Sequence, residues 1–278
     1  MIGRYEHRFG ELEERGHKAF IPFTVLGWPN PDACVEHIGA MVRAGASALE
    51  LGFPFSDPVA DGPVIQRAAH EVLQTGFSID DAFTLIERAR EFGPSTPIGV
   101  LVYYNMVLAQ GVEKFFSRCR FSGVDGVLVA DLPVESIREV SDAAEKSNVR
   151  LILLVSPVTS TSRIEAICKN AGGFIYLISR LGVTGTGERD GTKDEPLSKL
   201  IADVKAQTKV PVCAGFGISN PKQARKMLAF GVDGVITGSR VIELIRSAPP
   251  AEATELLTEF CRSMVKECTE FGAPCVNG

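Results

Sequence analysis

The chain is poor in the residues that most hydrolytic and redox catalysts depend on. Its 278 residues hold one tryptophan, Trp28, and four histidines (His7, His17, His37, His70), none in an HxxxH or HExxH pattern. These read as surface or helical histidines rather than metal ligands. Seven cysteines (Cys34, Cys119, Cys168, Cys213, Cys261, Cys268, Cys275) are an odd number without a CxxC, so neither a zinc site nor a redox pair is indicated. They are expected to be reduced, with Cys119, Cys168 and Cys213 filling small core positions. No GxGxxG follows the first apolar run, which disfavours a dinucleotide-binding crevice. No apolar run approaches the ~20 residues that span a bilayer. The N-terminal MIGRYEHRFGELEERGHKAF lacks the apolar centre of a signal peptide, so the expectation is a cytoplasmic protein without membrane contact. The 29 Lys and Arg are scattered among 34 Asp and Glu, net −5, which leaves no basic face for a nucleic acid. Any catalysis is expected to run without a metal and without histidine.

What is present is a regular alternation. Hydrophobic residues make up 45% of the chain and mean hydropathy is +0.11, enough for a sizeable core. Eight short apolar runs rich in Val, Ile and Leu read as parallel strands covered on both faces: 19–25, 48–53, 97–103, 126–130, 150–155, 174–179, 210–216 and 234–238. Amphipathic stretches separate them, at 31–44, 79–92, 112–121, 135–146, 162–170, 197–207 and 221–230. Asn30-Pro31 and Asn220-Pro221 each place a capping residue before a proline suited to the first helical turn. Eight strands alternating with helices fit a closed barrel better than an open sheet. The fold class expected is α/β, a single (β/α)8 TIM-barrel domain over 1–278. It comprises a helical prefix at 3–16, a barrel at about 19–246 and a C-terminal helix at about 251–271. The GVDG strings around Asp125 and Asp233 lie before strands, at the bottom of such a barrel, and read as scaffold.

The composition is unusual in the loops that follow strands, where barrel active sites are built. Glu50 stands inside the apolar run ALELGF, a costly place for a carboxyl unless it is paired or used. Either it pairs with a cation in the barrel interior, or its apolar setting raises its pKa for proton transfer. The following FPFSDPVADGP carries Asp57 and Asp61 on a loop stiffened by Pro54, Pro58 and Pro63. Gly182, Gly185 and Gly187 after the sixth strand, Gly215 and Gly217 after the seventh, and Gly238-Ser239 opening a helix after the eighth form a candidate phosphate site. Inward positions Phe23, Leu101, Tyr103, Leu128, Ala130 and Leu154 are core by default. The higher of them would wall an apolar cavity between the carboxylates and the phosphate site.

LELGFPFSDPVADGPVIQ, with IPFTVLG before it and YNMVLAQGVEKFF, GVLVADLP, YLISRLGVTGTG and AGFGIS after it, resembles the tryptophan synthase α subunit from about Tyr5 to Phe271. The resemblance implies retro-aldol cleavage of indole-3-glycerol phosphate to indole and glyceraldehyde 3-phosphate. Carried over by position, Glu50 is the general acid–base, Asp61 stabilises charge at the indole N–H, and Tyr176 lies near the reacting centre. Gly185, Gly215, Gly217, Gly238 and Ser239 hold phosphate, and Phe23, Leu101, Tyr103, Leu128, Ala130 and Leu154 hold indole. Thr184, with Arg180, belongs to a loop that closes on Asp61. The resemblance further implies no cofactor in this chain and a pyridoxal-phosphate β subunit as partner in an α2β2 complex, facing Pro54, Phe55, Ser56 and Asp57.

Two barrels of related chemistry remain as alternatives: an indole-glycerol-phosphate synthase and a phosphoribosyl isomerase. The first wants a lysine acid at a strand end, and no proposed strand end carries one. A non-catalytic regulatory subunit is the alternative of another class, disfavoured by the presence of both Glu50 and Asp61. Trp28, in LGWPN where the family often has Asp, is expected to be an exposed aromatic, either a partner contact or a loop variant.

Overall fold

The computed structural model describes residues 3–178, 194–215 and 217–271. Its strands are β1 (Ala19–Val25), β2 (Leu49–Gly52), β3 (Ile98–Val102), β4 (Gly126–Val129), β5 (Arg150–Leu151 and, past Ile152, Leu153–Val155), β6 (Ile175–Ile178), β7 (Val212–Gly215) and β8 (Gly234–Thr237). All neighbours are parallel, in the order 5-4-3-2-1-8-7-6-5. The ring closes through β5, whose first half pairs with β4 and second half with β6.

The register decides what faces inward. Phe23 lies beside Glu50, Glu50 beside Gly99, Gly52 beside Leu101, Leu101 beside Leu128. On the other side Leu154 lies beside Tyr176, Tyr176 beside Cys213 and Ile178 beside Gly215. Because side chains alternate along a strand, every second residue of each strand points into the barrel. The interior is filled by Tyr5, Ile21, Leu128, Ile152, Phe174, Tyr176 and Ile236 among others. The opposite strand faces pack against the helices in a second, larger core.

Twelve helices are described. They are α1 (Arg4–Glu14), α2 (Pro31–Arg43), α3 (Pro63–Leu73), α4 (Ile79–Phe92), α5 (Tyr104–Gln110), α6 (Val112–Phe121), α7 (Arg138–Lys146), α8 (Thr161–Asn170), α9 (Asp194–Lys205), α10 (Pro221–Ala229), α11 (Ser239–Ser247) and α12 (Pro250–Glu270). The expected caps form: Asn30 accepts from the Ala33 N–H and Asn220 from the Gln223 N–H, both at 3.0 Å. Two helices were not legible in the sequence. In α3 the proline at Pro63 opens a helix rather than ending a loop, and α5 is a seven-residue piece cut off by Gly111 at φ +80°. With α11, these are surplus to one helix per strand, and each follows a loop at the C-terminal ends of the strands. None of the described helices is long and apolar enough to cross a membrane.

The opposite end is stoppered by α1. Tyr5 enters the barrel floor, and a Cβ on Gly99, Gly126 or Gly173 would come within 2.6, 3.0 or 3.2 Å of it. The bare backbone of those three positions makes room for the ring. The scaffold reading of the GVDG strings agrees with the structure. Asp125 accepts from Arg4 (2.8 Å), Arg90 (2.8 Å) and the Ile98 N–H (2.9 Å). Asp233 likewise accepts from Lys205 (2.6 Å) and the Val212 N–H (3.0 Å). Each aspartate thus ties a strand start to a cation. Asp125→Ala leaves the half-enclosed Arg90 with the Gly93, Thr96 and Gly123 carbonyls but no carboxylate, and urea unfolding is expected to show a loss of about 3 kcal/mol.

Of the cysteines, Cys34, Cys261 and Cys268 are buried as well as the three expected, and all six are free thiols. Trp28 overturns its expectation. It is 3% exposed, with its ring under Arg246 and its Nε1–H donating to Glu71 at 2.8 Å. A polar partner for the indole nitrogen lets the whole side chain be buried, which a reading of LGWPN as an open loop did not anticipate.

Candidate active site

Glu50 is held by β2 between Phe23 and Gly99 and is 2% exposed. Its Oε1 has no hydrogen-bond partner among the described residues, and no cation is paired with it there. Among the described residues, then, Glu50 has no ion-pair partner. Burial first, and the Asp61 charge second, push its pKa from the usual 4.5 up to about 8.

Asp61 reaches the same space from the loop after β2. Turns within the loop fix it: the Asp61 N–H donates to the Pro58 carbonyl (3.1 Å), and Gln66 of α3 donates to the Asp61 carbonyl (2.8 Å). Its carboxylate accepts from the Tyr103 hydroxyl at 3.0 Å, and that hydroxyl accepts from the Ala60 N–H at 3.1 Å. Burial raises the Asp61 pKa to about 6, with the Tyr103 hydrogen bond opposing the rise. Near neutral pH, then, Glu50 holds its proton and Asp61 is ionised. One carboxyl is an acid and the other a fixed negative charge.

Tyr103 was expected only as apolar wall. Its ring does stack on Phe55 (centroids 4.9 Å, planes 20° apart), but its hydroxyl is what ties the loop to β3. Forty-two positions separate Tyr103 from Asp61, and no local signal marks the pair. Leu101, Ala130, Leu154 and Ile178 border the inner core toward the strand C-termini, and Leu128 lies within it. Ile178 was missed, although the alternation Phe174, Tyr176, Ile178 could have given it.

The glycine positions lie across the barrel. Gly215 ends β7 directly against Tyr176, whose hydroxyl would sit 2.1 Å from a Cβ there. Gly217 follows at φ +78°, a left-handed conformation that favours glycine. Gly238 caps α11, so Ser239 lies in a helical first turn whose N–H groups and dipole suit an anion. Phe23 spans the two halves: a Cβ on Gly52 would lie 2.6 Å from its ring, and one on Gly238 3.1 Å. Arg180, Thr184 and Gly185 lie outside the described residues. In the loop after β2, expected to face a partner, Ser56 and Asp57 are exposed, Phe55 is half-buried and Pro54 is buried.

A (β/α)8 barrel with two buried carboxyls, Glu50 and Asp61, facing one apolar interior, and glycines at the ends of β7 and β8, has the make-up of a barrel enzyme that works by proton transfer. The family profile described as "Tryptophan synthase alpha chain" matches residues 9–269. The tryptophan synthase alpha chain of Methanothermobacter thermautotrophicus is 45% identical over 88% of this chain and 90% of its own length. That of Aliivibrio fischeri is 39% identical over 95% and 98%. Among solved structures, a tryptophan synthase alpha chain from Legionella pneumophila superposes with a TM-score of 0.87 at 30% identity, covering 98% of this chain and all of that one. The chain belongs to the tryptophan synthase alpha chain family, whose members are lyases that cleave indole-3-glycerol phosphate.

Proposed function

We propose that Glu50 and Asp61 divide the retro-aldol reaction between them. Protonated Glu50 delivers its proton to indole C3, forming the C3-protonated indolenine. The positive charge that appears at the ring nitrogen is stabilised by ionised Asp61. The C3–C3′ bond then breaks, its electrons returning to the ring, while the Glu50 carboxylate takes the C3′ hydroxyl proton. Indole and glyceraldehyde 3-phosphate result, and Glu50 ends protonated as it began. Tyr176 borders the reacting centre. Gly215, Gly217, Gly238 and Ser239, with Gly185, hold the phosphate, and Phe23, Leu101, Tyr103, Leu128, Ala130 and Leu154 enclose the indole. Thr184 and Arg180 belong to a segment that closes over the site and excludes water.

The observation that carries this reading is the placement of a proton-bearing Glu50 and a tethered, ionised Asp61 at one barrel mouth. The whole chain acts as one cytoplasmic domain, without a cofactor of its own. It delivers indole to a pyridoxal-phosphate β subunit, in an α2β2 assembly, through the face around Phe55 and Asp57. Exposed Val59 and Val158, on the loops after β2 and β5, and Leu108, on α5 after β3, suit such a face.

Indole release from indole-3-glycerol phosphate, measured with and without added β subunit, tests both parts. Slow release by the chain alone, rising at least about tenfold with the partner, is expected. Absence of indole under both conditions would overturn the assignment, and a rate unmoved by the partner would overturn the coupling.

A further inference from the structure

The phosphate-site helix α11 and the Asp61-side helix α3 are joined away from the site. Glu71 of α3 accepts two hydrogen bonds from the Arg246 guanidinium of α11, at 2.8 and 3.0 Å. The same carboxylate accepts from Trp28, at 2.8 Å, and from Arg67, at 3.1 Å. The Arg246 guanidinium also lies 5.1 Å from the centre of the Trp28 ring. At the other end of these helices, Ile65 of α3 would be 3.5 Å from a Cβ on Gly238, the cap of α11. Two contacts therefore fix the pair, one beside the phosphate site and one near the far ends.

Both helices are surplus to the outer ring of the barrel, and each buries an apolar face in the larger core, α11 through Val241, Ile242 and Ile245 and α3 through Ala68, Ala69 and Val72. The bidentate pair adds direction to that packing: an arginine fork on a carboxylate fixes both distance and plane, and the buried Trp28 anchors the pair to the loop after β1. Surface ion pairs are individually weak. Three groups converging on one carboxylate, one of them buried and rigid, define a joint.

We infer that Trp28, Glu71 and Arg246 are positioning residues that set the spacing between the phosphate site and Asp61, and so govern how the phosphate end of the substrate is held. This rests on the assignment of the phosphate site to Gly238-Ser239. Because Trp28 is the only tryptophan, the joint also carries its own fluorescent reporter.

The test uses the full chain and four proteins: wild type, Glu71→Gln, Glu71→Asp and Ser239→Asp. Glu71→Gln is expected to raise KM for indole-3-glycerol phosphate and Kd for glyceraldehyde 3-phosphate by about tenfold, while kcat and the affinity for indole change less than about twofold. Glyceraldehyde 3-phosphate should shift the Trp28 emission of the wild type, and the shift should shrink in Glu71→Gln. Glu71→Asp, which keeps the charge, should recover part of the lost affinity. A Glu71→Gln protein with lowered Tm but unchanged phosphate affinity would overturn the joint's role. Ser239→Asp separates that outcome from failure of the underlying site. If it leaves phosphate binding intact, the phosphate-site assignment is wrong; if it abolishes binding while Glu71→Gln does not weaken it, the joint alone is refuted.

Discussion

Glu50→Gln is expected to lower indole release by about 10³-fold while leaving affinity for glyceraldehyde 3-phosphate close to that of the wild type. The amide keeps the shape of the carboxyl but can neither give C3 a proton nor accept one from the C3′ hydroxyl. Stability should move the other way. Glu50 binds its proton up to about pH 8 in the folded chain but only to about 4.5 when exposed. The unfolded state is therefore favoured increasingly as pH rises between those values. Replacing the carboxyl removes that cost, on the order of 3 kcal/mol at pH 7. The gain should be absent at pH 4 and complete above pH 8. Denaturant unfolding of both proteins across this range reads it directly. Residual turnover near wild type, or a destabilised variant at pH 8, would contradict the role and the burial cost respectively.

Tyr103→Phe keeps the ring and its stack on Phe55 but deletes the donor to Asp61 and the acceptor for the Ala60 N–H. A charge-assisted hydrogen bond to a partly buried carboxylate is lost, so kcat is expected to fall about 10- to 100-fold with a smaller change in KM. The pH profile is the discriminating measurement. In the wild type Asp61 must be ionised and Glu50 protonated, so the rate should be bell-shaped, with limbs near 6 and 8. The Tyr103 hydroxyl lowers the Asp61 pKa against the pull of burial, so its removal must move the acid limb upward and leave the alkaline limb in place. An unmoved acid limb with a raised KM would reduce Tyr103 to a wall of the indole pocket.

Much of this site could be read from residue order because barrels convert order into place. A residue at a strand's C-terminal end is at the mouth, so Gly215 and Gly238 follow from the apolar runs, while Glu50, second of the four residues of β2, stands out as the one carboxyl inside its run. The run AFIPFTV matches β1 residue for residue because a strand covered on both faces is nearly all apolar, Thr24 alone excepted, and has no charged residue to blur its ends. What was not legible has physical reasons: Pro63 opens a helix through its own following residues, whereas Trp28 and the Tyr103 hydroxyl take partners far along the chain, Glu71 and Arg246 for the one and Asp61 for the other. Pro63 punctuates a loop only if no helix follows. Trp28 is exposed only if nothing meets its ring, and Arg246 does. Tyr103 is apolar only if its hydroxyl finds no carboxylate.

The tyrosine stopper at the barrel floor bears on traffic. With Tyr5 lodged against three bare backbone positions, the floor of the barrel is filled among the described residues. A small apolar product released beside Glu50 therefore meets packed side chains beneath it, and the mouth is the open direction. Whatever protein caps that mouth inherits the product. Sealing one end of the tube therefore turns docking at the other into a delivery route, with no dedicated passage needed inside this chain.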